Sequence, residues 1–220
     1  VTKGEYYTLM LGMAFGMFLL AGASNMIMMY LAIETMSMAS YVLAGYTKEI
    51  KRSSEASLKY VIFGSLASGI MIYGISILFG LTGTLNFAEL NLFLQQGSYN
   101  SVPVIISGLM ILVGIAYKIS AVPFHFWTPD VYEGAPVSIT AYLSVASKAA
   151  GFAVLIRFIK MGYMDPTNST DTFWTALGGV QWDVIMAFLA MITMTVGNIV
   201  AVWQNNVKRM LTYSSIVHAG

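Results

Sequence analysis

Cysteine is absent from the 220 residues, which excludes disulfides, thiolate-held iron–sulfur clusters and cysteine-type zinc sites. Histidine is nearly absent as well. His125 and His218 stand far apart, which disfavours a histidine metal site, so the chain reads as one with no metal or redox cofactor of its own. Charge is scarce, at 10% of residues, against roughly 25% in ordinary soluble domains. Lys and Arg outnumber Asp and Glu by only 11 to 10, which leaves no basic field for a phosphate backbone and argues against nucleic acid as a partner. Catalytic chemistry is lacking too, since no nucleophile and base stand at a workable spacing.

Apolar residues take the place of the missing charge. They make up 57% of the chain, the mean hydropathy is +0.72, and so much apolar surface must face lipid. A spanning helix needs about 20 mainly apolar residues, and six stretches qualify: 6–23, 26–46, 57–82, 103–127, 136–160 and 182–204. A seventh opens near Asn206. The expected fold class is therefore an all-α, polytopic transmembrane helix bundle. No signal peptide is expected, because Val1 to Glu5 leads into a long apolar run without a cleavage-type exit. Val1 as a start, and a stop at Gly220 inside an apolar pattern, read as the edges of a piece of a longer protein. Between the third and fourth spans, residues 84–101 alternate Leu85, Phe87, Leu90, Leu92, Phe93 and Leu94 with Glu89, Gln95 and Gln96, the pattern of a short interfacial helix.

Lys3, Lys48, Lys51, Arg52, Lys59, Lys208 and Arg209 collect on one side of the expected spans, and Arg157 and Lys160 on the other. That bias places the first side, with loop 47–56, in the cytoplasm. Asp130 and Glu133 fall on the same side, and acidic residues weigh little in this rule. Lys160, Lys208 and Arg209 read as end anchors, while Asp130 and Glu133 read as contacts to a neighbouring subunit or as a cap for the next helix. Tyr6, Tyr7, Tyr46, Trp127, Trp174, Trp182 and Trp203 lie near span ends and read as an interfacial aromatic belt.

Three charges lie well inside the spans: Glu34, Lys118 and Lys148. Each costs about 2.5–3.5 kcal/mol at the bilayer centre, and residues bearing that cost usually face a polar cavity and serve transport. One reading is a buried Glu–Lys pair that only locks the packing. It leaves one lysine over, whereas a row of exchangeable groups at one depth suits a proton path. Lys59 fits either such a path or snorkelling to the headgroups. Ser144 and Thr140, one and two turns before Lys148, predict a line of hydroxyls leading to it, and Ser37 follows Glu34 by one turn. Pro123 interrupts the fourth span close to Lys118, which predicts a break of the kind that lines ion sites in transporters.

The run Ala116-Tyr117-Lys118, then Pro123-Phe124-His125-Phe126-Trp127-Thr128-Pro129-Asp130-Val131-Tyr132-Glu133-Gly134-Ala135-Pro136, resembles the signature of the antiporter-like membrane subunits of respiratory complex I. Leu31-Ala32-Ile33-Glu34 and the stretch from Asn206 to Gly220 agree with it. The form of residues 130–136 is most similar to the subunit N branch of that family. It is less similar to the larger related subunits or to multisubunit sodium/proton antiporters. The resemblance implies an inverted-repeat fold with a discontinuous helix near Lys118 to Pro123. Residues 1–160 would form the first five-helix repeat, and 161–220 the loop and opening helices of the second.

The resemblance further implies proton translocation by a relay of Glu34, Lys118, Lys148 and water, with Lys59, His125 and His218 in accessory positions. Glu34 moving toward or away from Lys118 would switch that lysine between holding and releasing a proton. NADH, FMN, iron–sulfur clusters and quinone would belong to other subunits of the assembly. The chain would partner the other membrane-arm subunits and the lipid bilayer of a bacterial inner (plasma) membrane. A sodium/proton antiporter subunit is the alternative, and a scaffold whose charges only lock helices is a third reading.

Overall fold

The computed structural model describes residues 3–165 and 176–220. Ten α-helices follow in order: α1 (Lys3–Gly22), α2 (Met26–Ala44), α3 (Lys51–Thr82), α4 (Phe87–Gln95), α5 (Ser101–Ile119), α6 (Trp127–Gly134), α7 (Val137–Tyr142), α8 (Lys148–Arg157), α9 (Trp182–Val202) and α10 (Val207–Val217). Two π-helical segments, Leu143–Ser147 and Phe158–Tyr163, join α7 to α8 and extend α8, so that Val137–Tyr163 forms one span. No strand forms among the described residues. Among the described residues six helices are long and apolar enough to cross a membrane, one in each of the six expected stretches.

The helix starts follow local chemistry. Asn25, Asn86, Asn100 and Asn206 each stand before a helix, and the side-chain oxygen of each accepts the backbone N–H two residues on, at 2.8–3.1 Å. That contact satisfies one of the four amides a helix start leaves open. Gly83, at φ 70°, ends α3 in the left-handed conformation and donates its N–H to Phe79 O at 2.8 Å.

Helix α2 packs between α1 and α3, and α3 continues onto α5 and α6. Helix α8 closes against α1 and α5, while α10 bridges α9 and α6. Close approach needs small residues. A Cβ on Gly16 of α1 would lie 2.7 Å from the Met36 backbone nitrogen of α2. Lipid-facing side chains such as Phe18, Leu66 and Val202 remain exposed on the outside.

The short helix expected between the third and fourth spans is α4, and it is docked on protein. Phe87, Leu90 and Leu94 are buried, and Asn91 Nδ2 donates to Gly162 O at 3.3 Å and Met164 O at 2.7 Å, tying α4 to the end of the Val137–Tyr163 span. The aromatic belt is correct only in part. Trp203 is 81% exposed and Tyr7 is exposed, but Trp127 at 2% and Trp182 at 1% are core residues. Trp174 lies outside the described residues.

Candidate functional site

The fourth expected span breaks at Ile119 instead of running on to 127. Ser120 adopts φ 62°, a left-handed position that usually takes glycine, and Ala121 N donates to Ala116 O at 2.9 Å in the manner of a helix C-cap. The segment then passes Pro123 and resumes as α6 at Trp127. Irregular backbone at membrane depth must find its hydrogen bonds within protein. Val122 N donates to Thr193 Oγ1 of α9 at 3.0 Å, and Trp127 Nε1 donates to Tyr117 O at 3.2 Å. The proline makes the break legible in the sequence; nothing local points to Thr193.

Lys118 lies in the last turn of α5, where the helix carbonyls favour a cation. It is 1% exposed, and its ammonium donates to Ser37 Oγ of α2 at 3.0 Å. The Tyr60 ring centroid lies 6.0 Å from Nζ. Tyr60 stacks on Trp127 at 4.4 Å and meets Tyr41 edge-on at 4.7 Å, so an aromatic wall shields this side of the lysine. Glu34 is half-buried and lies one turn before Ser37 on α2, yet no ion pair joins it to Lys118 among the described residues. Its carboxylate instead accepts from Ser68 Oγ of α3. Each charge is held by a serine hydroxyl.

Lys148 is 6% exposed and begins α8 directly after a π-helical turn. Its Nζ donates to Ser215 O at 2.6 Å and to Ser215 Oγ at 2.9 Å, both on α10. The expected hydroxyl line is not its partner. Ser144 Oγ donates to Ala141 O at 2.8 Å and Thr140 Oγ1 to Tyr132 O at 3.0 Å. The physical reason is the π turn, which carries an extra residue and breaks the one-turn spacing on which that line depended. The two lysines sit on adjoining helices. Gly151 of α8 rests on the stem of Lys118, where a Cβ would meet Lys118 Cγ at 3.8 Å and Ile119 Cγ2 at 2.6 Å.

The accessory positions divide. His125 is buried within the break, beside Phe126 at 4.6 Å between ring centroids. His218 is exposed at the end of α10, and among the described residues the two lysines bond to serines and not to it. Lys59 belongs to an ionic cluster at the end of the bundle, bonded to Asp130 and Glu55, each at 2.7 Å. Arg209 spans Asp130 at 3.1 Å and Glu133 at 2.9 Å, and Arg52 reaches Glu133 at 3.1 Å. Lys208 Nζ and Asn206 Nδ2 also donate to Glu133. A cavity of about 260 Å³ opens among these charges. Lys59 and Arg209 are thus ion-paired at the end of the bundle. Asp130 and Glu133 bind cations of this same chain, gathering α3, α6 and α10. Among the described residues no three acidic or histidine side chains are grouped to hold a metal ion.

A family model described as NADH:quinone oxidoreductase/Mrp antiporter, TM, matches residues 23–220. The chain is 52% identical over 217 residues to NADH-quinone oxidoreductase subunit N 2 of Chloroherpeton thalassium, covering 99% of this chain and 41% of that protein. It is 48% identical over 219 residues to NADH-quinone oxidoreductase subunit N of Chlorobium chlorochromatii, covering 100% and 42%. It thus spans about two fifths of the length of the curated relatives it matches. Among solved structures, respiratory complex I from Thermus thermophilus with bound aureothin contains a similar chain, at TM-score 0.80 and 33% identity over 100% of this chain and 44% of that one. A chain of the membrane-bound sulfane sulfur reductase, an archaeal respiratory membrane complex, superposes at TM-score 0.84 with 27% identity over 97% and 41%.

Proposed function

Because the chain belongs to the NADH:quinone oxidoreductase/Mrp antiporter transmembrane family, and with six apolar helices is a multi-pass membrane protein, we propose that it translocates protons within an NADH:quinone oxidoreductase. Glu34, Lys118 and Lys148 form the mid-membrane relay, with water completing the path. One observation carries the reading: two buried lysines on touching helices, beside a helix break, each bonded to a serine and neither, among the described residues, locked in an ion pair. A buried cation that only held helices together would be expected to pair with a carboxylate. A cation that must give up its proton is better served by a neutral partner, which bonds it without fixing its charge.

Two ammonium groups on adjoining helices repel through a medium of low dielectric. A proton on one disfavours a proton on the other, so Lys118 and Lys148 hold it in turn. Glu34 biases the first of these stations from a distance. Quinone reduction and its cofactors belong to other subunits, and no bond other than those to the moving proton changes in this chain. The chain works beside the other membrane-arm subunits in a bacterial inner membrane. Residues 1–160 act as the first repeat, 161–220 open the second, and residues 47–56, the turn before α3 and its first residues, face the cytoplasm.

The test is Lys118→Ala in the intact assembly, reconstituted in vesicles. Protons pumped per NADH oxidised fall to background; undiminished pumping would remove the assignment. Sodium-dependent proton exchange without NADH-linked pumping would transfer the same residues to an antiporter.

A further inference from the structure

Opposite charges buried near one another attract strongly, and an ammonium and a carboxylate within reach would ordinarily close. Glu34 and Lys118 do not, although the hydroxyl that holds the lysine lies one turn from Glu34 on α2. Each is occupied. The Lys118 ammonium donates to Ser37 Oγ at 3.0 Å, and the Glu34 carboxylate accepts from Ser68 Oγ. Ser37 lies one turn beyond Glu34 on α2, so the hydroxyl that holds the lysine sits on the same helix face as the carboxylate. It is 2% exposed, with no competing solvent. Its surroundings are built closely: Ser40 Oγ donates to Ser37 O at 2.8 Å, and Tyr41, one turn further along α2, is buried as well. That phenol occupies the notch left by Gly64, where a Cβ would come within 1.9 Å of it. Gly64 lies one turn before Ser68 on α3, so the supports of both serines share one seam between α2 and α3.

We propose that Ser37 and Ser68 are positioning residues that hold Glu34 and Lys118 apart, the state in which Lys118 can exchange its proton. The inference rests on the relay reading above and adds its spacing device. Without the Ser37 hydroxyl, the ammonium turns to the carboxylate one turn away; without Ser68, the carboxylate is released toward the ammonium. Either change closes the pair, and a closed pair keeps the proton on the lysine.

The experiment uses the complete assembly in vesicles, with Ser37→Ala, Ser68→Ala and Ser37→Thr, and reads proton pumping alongside a cryo-electron microscopy map of each variant. Ser37→Ala is expected to lower pumping about tenfold, the factor matching loss of one hydrogen bond to a charged group. Its map is expected to show Glu34 and Lys118 in direct contact. Ser68→Ala moves both readouts in the same direction, and Ser37→Thr, which keeps the hydroxyl, restores them. Wild-type pumping in both alanine variants overturns the proposal, as does a loss of pumping with the pair still apart. Should Lys118→Ala also pump normally, the relay reading falls with it; should Lys118→Ala fail to pump while both serine variants work, only the spacing role is lost.

Discussion

Charge is handled in opposite ways at the middle and at the end of this bundle. At mid-membrane Lys118 and Lys148 are almost wholly buried, and each is met by a serine. At the end, Arg52, Lys59 and Arg209 are partly exposed, and each is met by carboxylates at 2.7–3.1 Å. Burial alone would predict the reverse, since a charge deprived of water has the greater need of a counterion. The contrast separates two tasks. Ion pairs fix a charge and tie α3, α6 and α10 together; hydroxyls bond a charge while leaving it free to change.

Substitutions can break that contrast or sharpen it. The largest effect falls on the middle: Lys118→Ala abolishes pumping, and the thermal inactivation midpoint of the assembly changes little. Glu133→Gln works the other way. It weakens the contacts to Arg52, Arg209 and Asn206 and is expected to destabilise by about 1–2 kcal/mol, between the values for exposed and buried charge contacts. A lowered inactivation midpoint with normal proton yield per NADH checks it. Ser215→Ala is milder, because the backbone oxygen at 2.6 Å still receives the Lys148 ammonium. Losing the hydroxyl partner is expected to slow pumping about threefold, the lower range for one hydrogen bond, as read from vesicle acidification rates. The smallest effect belongs to Lys59→Met, whose side chain is 37% exposed. It is expected to lower stability by less than about 1 kcal/mol, and high salt should erase the difference. Thermal scans at two ionic strengths check this.

Much of the frame was legible in the sequence. Apolar runs located the spans, and Pro123 beside Lys118 located the break. These are local signals, read from residues within one or two turns. What escaped were partners brought in from elsewhere in the chain. Ser215 lies 67 positions from Lys148, and Ser68 lies 34 from Glu34. A serine among many in apolar helices carries no mark of the charge it will meet. The π turn before Lys148 escaped for a different reason: Leu143 to Ser147 could serve equally in an α-helix, so the lost register becomes visible only in the folded backbone. Trp127 and Trp182 were misplaced because nearness to a span end does not tell a belt from a core when a second helix covers the ring.

The hydroxyl that Thr193 lends to Val122 has a mechanical side. It is 1% exposed, so no solvent stands ready to replace it. If α9 slid away from the break, the Val122 amide would be stranded, a penalty of about 1–3 kcal/mol. Helix α9 packs along α10, where a Cβ on Gly197 would meet Val217 Cγ2 at 2.6 Å. The bond therefore fastens the irregular segment to that helix pair. The fastening is set four residues past Lys118, so the end of α5 and the start of the break keep their place only while α9 keeps its own.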